Sequence, residues 1–125
     1  MNKNLLNFGE ILKKLRLSKD LTLRDVCRAV NYDPSNWSKI ERGVMAPPKD
    51  KEILKGWAKS LGLSIESSEY VKFIDEAMIA QGIIPVDILA DEDVVRYLPA
   101  FFRTVRNKKP TKEEIDLLIK VIKRN

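Results

Sequence analysis

Five polar side chains in the N-terminal half of the chain share the outward face of a short helical pattern. Its inward face is marked by Trp37 and Ile40, which lie three residues apart and can enter a core together. Because an α-helix has about 3.6 residues per turn, the polar positions around this pair face solvent. The five are Ser35, Asn36, Ser38, Lys39 and Arg42. All can donate hydrogen bonds to base edges or phosphates, so the pattern predicts a nucleic-acid-binding surface.

A second short helix is predicted just before this one. Thr22 can cap it by accepting an orphan N–H, and Asp25 can reach back to complete a capping box. The apolar face of this helix consists of Leu23, Val26, Cys27 and Val30. Cys27 is the single cysteine of the chain, and its place on that face predicts a buried core thiol rather than a nucleophile.

The turn between the two helices is also readable from its residues. Asn31 tolerates the left-handed conformation that a tight turn demands. Asp33 is a good N-cap, Pro34 suits the first helical position, and Gly43 ends the second helix. The pattern is therefore that of a helix-turn-helix motif: two helices joined by a three-residue turn, the second with an inward bulky pair and an outward polar row.

The run SKIERG at Ser38–Gly43 resembles the corresponding run of lambda-repressor-like regulators, and the likeness extends over about Phe8–Leu63. The resemblance implies a five-helix DNA-binding domain, an all-α fold. It also implies that Arg16 on the first helix pairs with Glu41.

The same resemblance assigns roles within the second motif helix. Ser35 falls near the start of the recognition helix, Lys39 at a base-reading position and Arg42 at a backbone-contacting position. Asn31 departs from the family because a glycine is usual there. Leu23 stands where a phosphate-contacting glutamine is common, which weakens the expectation of that contact.

A loop after the recognition helix adds a further candidate contact. Pro47 and Pro48 in succession cannot continue a helix, so the chain turns near the expected DNA backbone, and Lys49 becomes a candidate phosphate contact. The residues predicted at the DNA are Asp33, Pro34, Ser35, Asn36, Ser38, Lys39, Arg42 and Lys49.

Helical spacing continues on both sides of the motif. A first helix with an apolar stripe starts near Phe8, and a fourth helix over about Asp50–Leu61 is expected to bury Ile53 and to need Gly56 for a close helix contact. A fifth helix closes at Gln81. We therefore expect a helix-turn-helix core over residues 1–63, a fifth helix over 64–82 that closes it, and a C-terminal helical extension over 83–125.

The C-terminal extension begins with the run IIPVDILA, which favours an irregular or single-turn helical segment over an edge strand because of Pro85. Pro99 is expected to divide or kink the next helix. Thr111 and Glu114 form a capping box for the last helix.

The C-terminal extension contains apolar residues that the core of the N-terminal half does not need. They predict a homodimer interface at Phe101, Phe102, Ile115, Leu118, Ile119 and Ile122. The alternative is that the terminal helices fold back into one enlarged monomeric core.

Composition narrows the function classes. The chain has no histidine, a single cysteine and no glycine-rich phosphate loop, so we expect no enzyme activity, no metal and no cofactor. The acidic run Asp91–Asp93 fits a helix start better than a divalent-ion site. No apolar run approaches the roughly 18 residues that span a bilayer, and we expect a cytoplasmic protein with no membrane partner.

Charge and motif together favour a DNA-binding regulator. The formal net charge is +5, with basic residues 1–63 and 100–125 around an acidic stretch at 64–99. A positive field attracts a polyanion. The expected function is a dimeric repressor of transcription on a palindromic operator in double-stranded DNA. The alternatives are an antitoxin that neutralises a partner toxin and represses its own operon, and a module that acts only through protein contacts.

Overall fold

The computed structural model describes residues 2–106 and 109–123, and within those ranges it contains eight α-helices and no β-strand. The all-α prediction is therefore confirmed. The helices are α1 (Lys3–Ser18), α2 (Leu23–Val30), α3 (Pro34–Glu41), α4 (Lys51–Ser60), α5 (Ser68–Ala80), α6 (Val86–Leu89), α7 (Glu92–Val105) and α8 (Lys112–Lys123).

The chain divides into two compact units, Met1–Ile83 and Ile84–Asn125. The first unit contains α1 to α5 and a continuous hydrophobic core to which all five helices contribute. At its centre the rings of Trp37 and Trp57 lie 4.4 Å apart, and Tyr32 meets Trp57 edge-on at 5.0 Å. Such aromatic pairs stabilise a core beyond the burial of their area, so α3, α4 and the turn before α3 are held to one another.

The local signals at the turn between α2 and α3 are confirmed. The Thr22 hydroxyl accepts a hydrogen bond from the Asp25 N–H at 3.1 Å, and the Asp25 carboxylate accepts one from the Thr22 N–H at 3.0 Å. The hydrogen bond from the Thr22 N–H is the main cause that holds the pKa of the Asp25 carboxyl below its usual range. Asn31 adopts φ 54°, the left-handed conformation that ends α2.

A buried ion pair joins α1 to α3. Arg16 Nε donates to Glu41 Oε2 at 2.7 Å and Arg16 Nη2 to Glu41 Oε1 at 3.0 Å, and both side chains are buried. Both side chains make a further hydrogen bond. Arg16 Nη1 donates to the Leu21 carbonyl at 2.9 Å, and Glu41 Oε2 accepts from the Trp37 indole N–H at 2.6 Å. The hydrogen bonds to Glu41 raise the pKa of Arg16 further above its already high ordinary value. The Arg16 guanidinium therefore stays charged at any physiological pH.

Helix α1 begins earlier than the sequence pattern suggested. Asn2 caps it by accepting hydrogen bonds from the N–H groups of Asn4 and Leu5, so the helix starts at Lys3 rather than near Phe8. Leu5, three residues before Phe8, also packs against the core, so the apolar spacing extends nearly to the cap. A cap needs no apolar neighbour, which is why the pattern located the helix but not its first residue.

Two expectations about α4 are wrong. Ile53 is 45% exposed rather than buried. A Cβ built on Gly56 would meet no atom within 4 Å, so no close helix contact requires that glycine. The close approach occurs instead at Gly9 on α1, where a Cβ would lie 2.4 Å from the Ile40 carbonyl oxygen of α3.

The second unit consists of α6, α7 and α8. The single-turn reading of the segment after Pro85 is confirmed by α6. Pro99 does not divide the next helix, because α7 runs unbroken from Glu92 to Val105. Ion pairs to α8 support it on both sides of the proline, from Arg103 to Glu114 and from Asp93 to Lys120. The Thr111 and Glu114 capping box at the start of α8 is confirmed.

The two glycines give a matched test of the α1–α3 packing. Gly9→Ala should destabilise the fold by about 1–3 kcal/mol, the range for overpacking, because backbone atoms of α3 leave no room for the methyl group. Gly56→Ala should stabilise it by about 0.5–1 kcal/mol, because an exposed helix interior favours alanine. Urea denaturation of both variants measures the two values. Equal effects of the same sign would contradict this account.

The ion pair predicts strong coupling between its partners. Arg16→Ala and Glu41→Ala should each cost about 3–5 kcal/mol of unfolding free energy, because each leaves a buried charge without its counterion. The double variant should cost clearly less than their sum. Thermal or urea unfolding of the four proteins gives the coupling energy, and Lys13→Ala at an exposed α1 position should stay within about 0.5 kcal/mol of the parent. Additive losses would show that the two charges act separately.

Candidate nucleic-acid interface

The first turn of α3 is fixed by its cap. Asp33 Oδ1 accepts hydrogen bonds from the N–H groups of Ser35 at 2.7 Å and Asn36 at 3.3 Å. Pro34 occupies the first helical position, where its missing N–H leaves no partner unpaired. The start of α3 is therefore ordered before any ligand arrives, and its outward residues are held in place.

Burial of Trp37, Ile40 and Glu41 sets which face of α3 points outward. Both apolar side chains are fully enclosed, and Glu41 is locked by Arg16. A helix held at three inward positions cannot rotate about its axis without breaking a buried contact. The row on the opposite side is consequently presented as one rigid surface.

The structure places the predicted DNA-binding residues as follows. Pro34, Ser35, Lys39, Arg42 and Lys49 are exposed, whereas Asn36 and Ser38 are half-buried. Arg42 Nε lies 3.4 Å from the Ser38 hydroxyl oxygen, a long contact that leaves the guanidinium free to turn toward a partner. On α3 the outward row therefore consists of two hydroxyls, one amide, two cations and the apolar ring carbons of Pro34.

Asp33 is one of the residues predicted at the DNA, but its carboxylate is already used within the protein as a helix cap. Its side chain is exposed, yet Oδ1 already accepts two backbone N–H groups at the start of α3. The physical role that these contacts give Asp33 is to order the first turn.

Lys49 stands in the loop between α3 and α4, and that loop is anchored at both ends. Gly43 leaves α3 with φ 75°, and a Cβ on it would lie 2.6 Å from Leu6 Cα. At the other end, the Gln81 amide donates to the Pro48 carbonyl at 3.1 Å. Lys49 is thus exposed on a loop whose path is set by contacts with α1 and with the residue after α5.

Gln81 is a residue that the sequence interpretation missed. It was expected only to close α5, and the structure gives it a hydrogen bond to a loop 33 positions earlier in the chain. No local pattern signals such a contact. Two exposed arginines on α2, Arg24 and Arg28, were also outside the predicted set and add positive charge to the motif.

The other titratable groups of the motif are structural. Burial raises the pKa of the Cys27 thiol and of the Tyr32 phenol. Both side chains are therefore neutral near pH 7. Their contacts lie in the core, so neither contributes charge to the outward face of α3.

The acidic run at the start of α7 is occupied by helix capping. Asp91 Oδ1 accepts from the N–H groups of Asp93 and Val94, which confirms the helix-start interpretation.

Across residues 2–106 and 109–123, no group of three or more His, Cys, Asp or Glu side chains is placed to hold a metal ion. No helix in the described part of the chain is both long enough and apolar enough to cross a membrane.

Comparison with known proteins agrees with this geometry. Residues 7–64 match the family described as a helix-turn-helix domain, a match that includes most of α1 and all of α2, α3 and α4. No curated protein and no solved structure gives a significant match. The stretch from Asn7 to Ser64, just under half of the chain, is therefore similar to this family of helix-turn-helix domains.

Proposed function

We propose that this protein is a sequence-specific, double-stranded DNA-binding regulator of transcription of the lambda-repressor-like kind, which represses as a dimer on a palindromic operator. The observation that carries the proposal is the exposed polar and basic row on α3 within a matched helix-turn-helix domain. In that motif the second helix enters the major groove. Here that helix is α3.

Base readout falls to the exposed residues in the first two turns of α3. Ser35 can accept or donate at a base edge, and Lys39 can donate to the O6 and N7 acceptors of guanine. The Pro34 ring has no hydrogen-bonding atom at its exposed carbons, so the base feature that suits it is the methyl group of thymine. This set predicts a half-site that contains both a guanine and a thymine contact.

Backbone contacts orient α3 in the groove. Arg42 at the end of α3 and Lys49 on the anchored loop are both exposed cations, and phosphate neutralisation by such groups gives affinity that is independent of sequence. The rigid path of the loop, set by Gly43 and Gln81, keeps Lys49 at a fixed offset from α3. Because this offset is fixed, Lys49 can contact one particular phosphate and so help to orient α3 on the DNA.

Dimerisation supplies the site length that one motif lacks. A single recognition helix contacts only a few base pairs, and two-fold pairing places two such helices about 34–36 Å apart on successive half-sites. The exposed apolar side chains of the second unit, including Phe101 and Phe102, suit such a pairing. A dimer bound across a promoter blocks the polymerase, which gives repression.

The exposed apolar face of the second unit also favours one alternative function, the antitoxin. In that case a toxin covers Phe101 and Phe102, and the same DNA-binding domain represses the shared operon. A toxin-like gene directly beside this one, together with a second protein that co-purifies from the native host, would favour the antitoxin. Isolation of the chain alone as a dimer favours the repressor.

Substitutions on α3 separate base readout from backbone contact. Lys39→Ala should cost about 1–3 kcal/mol on the cognate site and relax base preference at one position, because it removes a donor to a base edge. Arg42→Ala should weaken cognate and random duplexes alike and reduce the salt slope by about one unit. Fluorescence anisotropy titrations at several salt concentrations, with an operator selected from a random library, measure both effects.

Lys72→Ala provides the matched control for these titrations. It removes the same charge from an exposed position on α5, in the acidic part of the chain, and should leave cognate affinity unchanged. An equal loss on cognate and random DNA for Lys39→Ala would refute its assignment as a base-reading residue.

A further inference from the structure

The second unit cannot complete a hydrophobic core from its own residues. Among its described residues, Ala100 on α7 is buried, and α6 and α8 bury none. Domains below about 40 residues usually need oligomerisation, disulfides or a metal to fold, and Ile84–Asn125 is close to that limit. The only cysteine of the chain lies in the other unit, so an internal disulfide is excluded. Association with another chain is one means of stabilisation that the exposed apolar residues of this unit support.

Helix α8 has two apolar stripes, and one of them faces solvent. The half-buried stripe consists of Leu117, Leu118 and Val121, together with the Glu114 that pairs with Arg103. Leu118 therefore lies on the less exposed side, unlike the other α8 residues predicted at a dimer interface. The solvent-facing stripe consists of Ile115, Ile119 and Ile122, which are 43%, 43% and 64% exposed. Their spacing of four and then three residues is that of a coiled-coil seam.

Two charges of opposite sign border the outer stripe. Asp116 follows Ile115 and Lys123 follows Ile122, so the two charges occupy the same position of successive heptads. Both are exposed, and neither has an ion-pair partner among the described residues. This differs from Lys120, whose ammonium group lies 3.3 Å from Asp93 within the unit.

The order of these charges selects the orientation of a partner helix. In a parallel pair, Asp116 and Lys123 would face Thr111 and Leu118 of the second copy, neither of which is charged. An antiparallel copy sets Asp116 beside Lys123 of the second copy, and the two-fold axis repeats the contact at the other end. Opposite charges then meet at both ends of the apolar seam, whereas the parallel arrangement gives Asp116 and Lys123 no charged partner.

We propose that α8 pairs with α8 of a second copy of this chain in an antiparallel arrangement that buries Ile115, Ile119 and Ile122. The pairing rests on the proposed function, because it specifies the surface through which the regulator dimerises. The interface is isologous, so it closes as a dimer and leaves no free seam for further copies. The two recognition helices are thereby linked through the last helix of each chain.

A charge exchange on the full chain tests the orientation. Asp116→Lys and Lys123→Glu should each weaken the dimer roughly tenfold in sedimentation equilibrium, because each turns two attractive contacts into repulsive ones. The double variant Asp116→Lys/Lys123→Glu should regain the parent dissociation constant. An equimolar mixture of the two single variants should form a heterodimer in which every contact is again attractive.

Glu113→Lys is the matched control, since it reverses an exposed charge on the first turn of α8 at a heptad position away from the seam. It should leave the dissociation constant unchanged. Recovery in the double variant guards against a folding defect, because a misfolded single variant would not be repaired by a second charge reversal.

Several outcomes overturn the pairing. A double variant as weak as the single ones refutes the antiparallel register, and a parent chain that stays monomeric at micromolar concentration refutes self-association and favours a different protein on this face. Binding to the selected operator is measured in parallel. Loss of sequence-specific binding with an intact dimer would refute the proposed function alone, and an unchanged dimer in all charge variants would refute the α8 pairing alone.

Discussion

The buried pair of Arg16 and Glu41 is the interaction on which the DNA-binding half depends. It joins α1 to α3 through two hydrogen bonds, and the Trp37 indole adds a third to the same carboxylate. Removing two charges from water is costly, so the pair is tolerated only because nearly every donor and acceptor is used. Its benefit is geometric. A bidentate guanidinium fixes α3 in rotation as well as in position, which hydrophobic contact alone does not do.

That constraint holds the outward face of α3 in a fixed orientation, as the proposed base readout requires. Gly9 lets the backbones of α1 and α3 approach closely enough for the ion pair to form, and the Trp37–Trp57 contact extends the same anchoring to α4. The N-cap at Asp33 orders the first turn of α3. These contacts all hold the inward side or the first turn of α3. As a result, the backbone positions of Ser35 and Lys39 on its outward face are fixed. Pre-ordered donors avoid much of the entropy cost of binding.

The two units have opposite physical characters. The first unit has a closed core and presents polar and basic side chains on its recognition helix. The second unit leaves large apolar side chains such as Phe101 and Ile122 exposed. A surface of this kind is retained in a small unit when association covers it. The division fits the proposed regulator, in which one unit would contact DNA and the other would join two copies.

The sequence by itself determined most of the helices, several of their caps and the inward pair of α3. The Thr22 and Asp25 box, the left-handed Asn31 and the capping of α8 by Thr111 and Glu114 all depend on residues within four positions of each other, so a linear pattern contains them. Periodicity likewise identified the inward pair on α3. Even the acidic start of α7 followed from local charge and capping preference.

Only the tertiary structure decided which glycine is required, which isoleucine is exposed and where Gln81 bonds. Gly9 and Gly56 look alike in sequence, and the difference between them is the distance to a helix far away in the chain. Ile53 fits the α4 stripe by spacing, but no neighbouring element covers it. A proline inside a helix usually breaks it, yet α7 continues through Pro99. Ion pairs to α8 lie on both sides of this proline. These features depend on contacts between distant segments, which spacing along the chain cannot specify.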